Sequence, residues 1–280
     1  MYHDRMTNLE WLERISNSDV IATAQTRTVV DTPAFKLLLD PHNDFGGVNW
    51  ATPLKQDPSE LEIIAMIEAF EAYQRTPRLE LIGECWTDLA ALLERAGFQA
   101  EGAPQDIMIV TPDTFKPFTA DGVRLQFLEP SDPDQIYGTY LETQTRGFGY
   151  GNFETPTNDQ ISSWRDQVRS GRRAALGFLE GQAAGVGTTL GSDLAEVQGV
   201  TTLPSARRRG VAATLSSALV ADVFVLHENA VPHSVSRAAS LSVPRNARAV
   251  WLSVEEDAAR ACYTKIGFRT IGSRLNYSLG

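Results

Sequence analysis

Residues 207–212 read Arg-Arg-Arg-Gly-Val-Ala, and their types and spacing suit the binding of an anion. They follow an apolar, strand-like run over 194–202 and a turn led by Pro204, and they precede helical spacing in Leu215, Ala218, Leu219, Asp222 and Val223. A helix that starts straight after a strand gathers unpaired backbone N–H groups and the positive end of its dipole at one spot. Gly210 lets the backbone approach a diphosphate and tolerates positive φ, and Ala212 keeps the next turn free of bulk. Arg207, Arg208 and Arg209 can add charge-assisted hydrogen bonds to phosphate oxygens. The blander reading of the same six residues is an Arg-rich surface turn at a helix start.

The string Arg207-x-x-Gly210-x-Ala212 resembles the pyrophosphate-binding turn of GNAT-type N-acetyltransferases, which has Gln or Arg, two variable residues, Gly, one variable residue, then Gly or Ala. Downstream, a strand at 249–254 and a helix at 255–268 resemble the closing motif of that family, in which an Asn precedes Ala-x-x-Leu-Tyr-x-x-x-Gly-Phe. Tyr263, Gly267 and Phe268 match it. Glu256 stands where the Asn belongs, and the Ser253-x-x-Glu256 spacing is that of a capping box starting the helix. Cys262 takes the Leu position and is read as core rather than as a nucleophile.

The resemblance implies an acyl-CoA-dependent N-acetyltransferase that moves an acetyl group from acetyl-CoA to a primary amine by direct transfer. It places the pantetheine arm of the cofactor along Val200, Thr201 and Thr202, and its phosphates on Arg207, Arg208, Arg209, Gly210, Val211 and Ala212. Tyr263 is then the general acid or thiolate partner. Glu196 is the candidate base, expected by strand alternation on the same face as Gln198, Val200 and Thr202. The competing reading is a non-catalytic acyl-CoA-binding regulatory or scaffold protein, and the Glu256 departure favours it.

The surrounding elements are those such a site requires. Residues 183–190 and 194–202 read as antiparallel strands joined by a turn at 191–193. A strand at 123–128 and helices at 132–144 and 158–169 open the domain. Residues 146–153, rich in Gly and aromatics including Phe148, Tyr150 and Phe153, read as an acceptor loop. The Ser- and Pro-containing stretch 227–246 reads as a lid or the contact of a homodimer, with His227 and His233 as solvated loop residues and no metal.

The N-terminal part repeats the plan. The strand at 79–83 and helix at 88–98 parallel 250–254 and 258–268 when the Gly-Phe pairs are aligned, with Leu93 in the place of Tyr263. The helix over 59–73 opens with a Ser59/Glu62 capping box, but residues 53–58 have no Arg-x-x-Gly-x-Ala. The expected fold is α+β, with two GNAT-like domains, each a mixed, mostly antiparallel sheet flanked by helices. The first, residues 1–118, is degenerate; the second, 119–280, carries the acetyl-CoA site, and 111–120 is the linker.

Composition sets the limits. The chain has 280 residues and is 42% apolar, enough for two sizeable cores. Residues 1–118 hold 9 Lys/Arg against 19 Asp/Glu, so the whole net charge of −10 lies there. An acidic chain argues against nucleic acid, and three adjacent arginines make a poor footprint for one. No Gly-x4-Gly-Lys-Ser/Thr string exists to make a nucleotide hydrolase. Cys85 and Cys262 form no disulfide framework. Without a basic-then-apolar leader or a membrane-length apolar run, the protein is expected in the cytoplasm, away from membranes, acting on a small-molecule or peptide amine.

Overall fold

The computed structural model describes residues 6–149, 155–191, 193–224, 235–236 and 247–280. In chain order its elements begin with α1 (Asn8–Ala24), β1 (Thr28–Asp31), β2 (Phe35–Leu39), β3 (Trp50–Pro53), α2 (Glu60–Ala72), β4 (Arg78–Ile82), α3 (Leu89–Arg95), β5 (Gln99–Ala100) and β6 (Gln105–Val110). They continue with β7 (Val123–Phe127), α4 (Asp134–Phe148), α5 (Asn158–Arg169), β8 (Arg173–Leu179), β9 (Gln182–Leu190), β10 (Leu194–Thr202), α6 (Val211–Phe224) and β11 (Val235–Ser236). The last are β12 (Ala249–Val254), α7 (Asp257–Lys265) and β13 (Arg269–Ser278).

No single cut divides the chain. One compact unit comprises Met1–Met108, Ser253–Glu255 and Thr270–Gly280, and the other Ile109–Leu252 and Glu256–Arg269. The C-terminal strand β13 belongs to the first unit because it pairs antiparallel with β4, Tyr277 facing Leu79, and with β5.

In the first unit the strands run β1-β2-β3-β4-β13. Strands β3 and β4 are parallel at Ala51 and Leu79, and the other ladders between neighbours are antiparallel. Phe35, Leu37, Ile63, Met66, Phe70, Leu79 and Leu93 fill the core, so the residue in the Tyr263 position of the repeat is a buried packing residue. The N-terminus of α2 is occupied by its own side chains. Ser59 Oγ accepts from the Glu62 N–H, and the Glu62 carboxylate accepts from the Ser59 N–H at 2.8 Å, the expected capping box. Glu60 adds a second acid to this turn, so the helix end is already served by its own carboxylates.

Lys55, followed by the Ser59 N–H and hydroxyl, holds the Glu62 carboxyl down to about 2. A carboxyl depressed from its unfolded value of about 4.3 adds stability that is complete above that pH and is lost as pH falls through about 2. Glu62→Gln should therefore lower the urea midpoint at pH 6 and converge with the parent near pH 2; a gap that persists at pH 2 would mean that the carboxylate is not its source.

In the second unit the strands run β12-β10-β9-β8-β7-β11, with β10·β12 and β7·β11 parallel and the rest antiparallel. Helices α4 and α5 cover one face over Tyr137, Tyr140, Ile161, Ala174, Leu176 and Val186. Helix α6 covers the other over Val123, Leu125, Ala175, Val211, Leu215 and Leu219. Residues 111–120, expected as a linker, have little regular structure but are fastened to α6: Ser217 Oγ accepts from the Phe118 N–H at 2.8 Å, and Thr214 Oγ1 from the Ala120 N–H at 2.9 Å.

Two local expectations change. Helix α4 runs through Gly147 and Phe148 and stops at Gly149, which takes a left-handed φ of 72°, so the first part of the expected acceptor loop is helix. Tyr150 and Phe153 lie outside the described residues, as do His227 and His233. Helix α7 starts on Glu256 itself, whose side chain makes no capping bond, so the Ser253/Glu256 box does not form. Asp257 supplies the acid at this end, one residue later than the box requires. Among the described residues no helix is long and apolar enough to cross a membrane.

Candidate functional site

Strand β10 organises the candidate site. It pairs with β12 only at Leu194, Ala195 and Glu196, opposite Ala249, Val250 and Trp251. On its other edge the register with β9 slips: Gln198 faces Thr188, but Thr201 faces Val186. Gly199, at φ 58°, takes the left-handed conformation this bulge needs.

An extra residue in a strand exchanges its faces. Glu196 and Gln198 lie on the α4/α5 side, and beyond the bulge it is Thr201 that returns there, its side chain so close to Gly147 that an added Cβ would come within 2.5 Å. Val200 turns to the α6 side, beside Gly187 and Leu219. The expected single face of Glu196, Gln198, Val200 and Thr202 is corrected accordingly, since simple alternation fails at Gly199.

Glu196 does not stand alone. Gln198 Nε2 donates to Glu196 Oε2, and Gln198 Oε1 accepts from Arg172 Nη1 at 3.1 Å. Arg172, one residue ahead of β8, lies 5.7 Å from the Trp164 ring centroid, and Trp164 packs on Tyr140 at 4.8 Å. Sequence reading had named Gln198 only as a neighbour and missed Arg172; the available signal was its parity with Ala174, which faces α4 and α5.

The turn after β10 runs through a short 3₁₀ segment, Pro204–Ala206, into α6. Arg208 and Gly210 have positive φ, 61° and 80°. Gly210 is demanded by packing as well, since an added Cβ would lie 2.5 Å from the Ala120 Cβ. The first bond into the helix runs from the Thr214 N–H to Gly210 O at 2.9 Å, which leaves the N–H groups of Val211, Ala212 and Ala213 at the open end. Unlike α2, α6 has no acid in its first turn. The Val211 side chain is core, so only its backbone can serve a ligand.

The three arginines have separate positions. Arg207 ties the turn to Thr202 O and Gly147 O, both at 3.3 Å. Arg209 pairs with Glu180 at 2.5 Å on the surface, and Arg208 is exposed. Surface pairs of this kind are weak, so a phosphate can compete for Arg209.

Tyr263 projects from α7, which packs on α6, and its ring meets Phe268 edge-on at 5.8 Å. Its hydroxyl lies in a desolvated place beside Ser216; burial pushes its pKa well above the usual 10, Cys262 adds to the rise, and Ser216 opposes it. Ser216 Oγ and Thr202 Oγ1 are buried polar atoms without a regular hydrogen-bond partner among the described residues. Burial raises the thiols too, that of Cys85 to about 11, which keeps Cys85 and Cys262 protonated at neutral pH. No metal-binding group of three or more His, Cys, Asp or Glu occurs among the described residues.

The chain has the fold of the GCN5-related N-acetyltransferases, and a tandem GNAT protein is among its structural neighbours. Among solved structures, a GCN5-related N-acetyltransferase from Kribbella flavida matches with a TM-score of 0.71 at 18% identity, covering 95% of each chain. A tandem GNAT protein from the clavulanic acid biosynthesis pathway matches with a TM-score of 0.59 at 14% identity, covering 99% of this chain and 96% of its own. A GCN5-related N-acetyltransferase from Sphaerobacter thermophilus matches at 0.56 and 15%, covering 88% and 79%. No model of a known protein family and no curated protein matches the sequence.

Proposed function

We propose that this protein is an acyl-CoA-dependent N-acetyltransferase that transfers acetyl from acetyl-CoA directly to a primary amine of a small molecule or peptide. The observation that carries the reading is the continuity of one segment: β10 leaves β12 after Glu196, bulges at Gly199 and runs into a helix end at Gly210 with no acid in its first turn. An edge freed from its ladder can accept an extended arm as an added strand, and the helix end can accept phosphate.

The residues present fit that ligand. Thr202 Oγ1 has no hydrogen-bond partner among the described residues, and a buried hydroxyl left so costs about 1–3 kcal/mol unless a ligand or water satisfies it. Val200, Thr201 and Thr202 would hold the pantetheine arm, and the backbone of Gly210, Val211 and Ala212 with Arg207, Arg208 and Arg209 would hold the phosphates. Acetyl-CoA supplies an activated acyl group with a thiolate as leaving group. Glu196 takes the proton of the ammonium, and Tyr263 acts on the acid side. Because its hydroxyl holds its proton more tightly than a thiol of pKa about 8.5, it stabilises the thiolate by donating a hydrogen bond rather than by giving the proton up.

Two variants separate binding from folding. Arg209→Glu removes only an exposed ion pair and places a carboxylate at the turn, so acetyl-CoA affinity should fall about 10- to 100-fold with thermal stability unchanged. Gly210→Ala should lose both, because φ 80° and the Ala120 contact forbid a Cβ there. Unchanged affinity in Arg209→Glu would remove Arg209 from the site.

The alternative, a non-catalytic acyl-CoA-binding regulatory or scaffold protein that senses the cofactor, draws support from Glu256, which replaces the motif's Asn and caps nothing. Titration of the protein with acetyl-CoA, followed by thiol release against a panel of primary amines, tests the two together. Micromolar binding with amine-dependent release supports the transferase, and binding without release on any amine supports the sensor.

A further inference from the structure

We infer that Arg172 and Gln198 are positioning residues that hold the Glu196 carboxylate in place for proton abstraction. The inference rests on the reading of Glu196 as the base. Its ground is a hydrogen-bonded chain from the start of β8 to the middle of β10: Arg172 Nη1 to Gln198 Oε1 at 3.1 Å, then Gln198 Nε2 to Glu196 Oε2.

The polarity of this chain is fixed by chemistry. A guanidinium only donates and a carboxylate only accepts, so the amide must turn its oxygen to Arg172 and its nitrogen to Glu196. An amide without Arg172 could flip and set its oxygen against the carboxylate, which repels. Arg172 therefore decides which face of Gln198 the base meets.

The arginine is held in turn. Its guanidinium lies over Trp164 of α5, and Trp164 lies on Tyr140 of α4, itself fully buried. Cation–aromatic contact restrains a guanidinium while leaving its edge N–H groups to donate in plane. Gln198 is also the last β10 residue in register with β9 before the bulge. The chain thus ties the base to the point where β10 changes face, and the two helices of the Glu196 side supply its foundation.

If this arrangement positions the base, loss of Arg172 acts on turnover and not on the cofactor. Arg172→Met and Gln198→Leu should each lower kcat about 10- to 100-fold, with acetyl-CoA affinity and thermal midpoint close to the parent. Arg172→Lys, which still donates to the amide oxygen, should recover part of the loss. In the Gln198→Leu background, Arg172→Met should cost little more, because its effect passes through the amide.

The same series includes Glu196→Gln. Full turnover in Glu196→Gln would overturn the base assignment itself. An impaired Glu196→Gln beside undiminished Arg172→Met and Gln198→Leu would overturn the positioning role alone, as would fully additive losses in the double variant.

Discussion

Tyr263→Phe should leave acetyl-CoA affinity and thermal stability as they are and lower kcat by about 10- to 1000-fold. The substitution removes one oxygen and keeps the ring, so the edge-on contact with Phe268 survives and α7 keeps its seat on α6. What goes is a hydroxyl in a desolvated setting, where a hydrogen bond to a developing thiolate is worth more than in water. Stopped-flow or steady-state thiol release with a responsive amine measures it; a Phe variant as fast as the parent would make Tyr263 a packing residue. A pH dependence follows. Since the phenol titrates above its usual value of about 10, it stays protonated through the neutral and mildly alkaline range, and activity should not fall on its account below pH 10.

Arg274→Met should destabilise the first unit by about 3 kcal/mol, the largest effect on stability expected from a charged residue in it. Arg274, on β13, donates to Asp19 Oδ2 of α1 at 2.8 Å and to Glu80 Oε2 of β4 at 3.2 Å. Arg78 completes the group through Glu80 and Glu101, so two arginines serve three carboxylates. Without Arg274, Asp19 and Glu80 face each other in a largely desolvated place. Burial already raises the Asp19 pKa against the pull of Arg274, and the variant would raise it further. A raised carboxyl keeps its contribution at low pH and loses it as pH climbs through the folded value, so the deficit should be full at pH 8 and shrink toward pH 4. Urea midpoints at both pH values test this; a deficit independent of pH would point to lost packing of the arginine stem.

Legibility followed the range of the interaction. The Ser59/Glu62 box, the β10–turn–α6 order and the span of α5 were readable because each depends on residues within a few positions of one another. Alternation along β10 failed at Gly199 because a bulge answers to the partner strand, and one glycine in a strand does not announce a slip. Gly147 and Phe148 looked like loop from composition, yet packing against Thr201 rewards a residue without a side chain inside α4. The box at Ser253 and Glu256 had the right spacing, but the helix starts one turn later than it requires. Arg172 offered only its parity with Ala174, since its partners lie 26 residues ahead in Gln198 and on α5 in Trp164.

The path of β13 has a consequence for synthesis. When residues 1–108 have left the ribosome, the strand that pairs with β4 and β5 is still more than 150 residues from being made. The first unit must wait with an open sheet edge, while nearly all of the second can form ahead of it. Order of folding is then the reverse of order of translation. A nascent chain released early would expose that edge to chaperones, proteases or its own copies, and β13 is the segment that closes it.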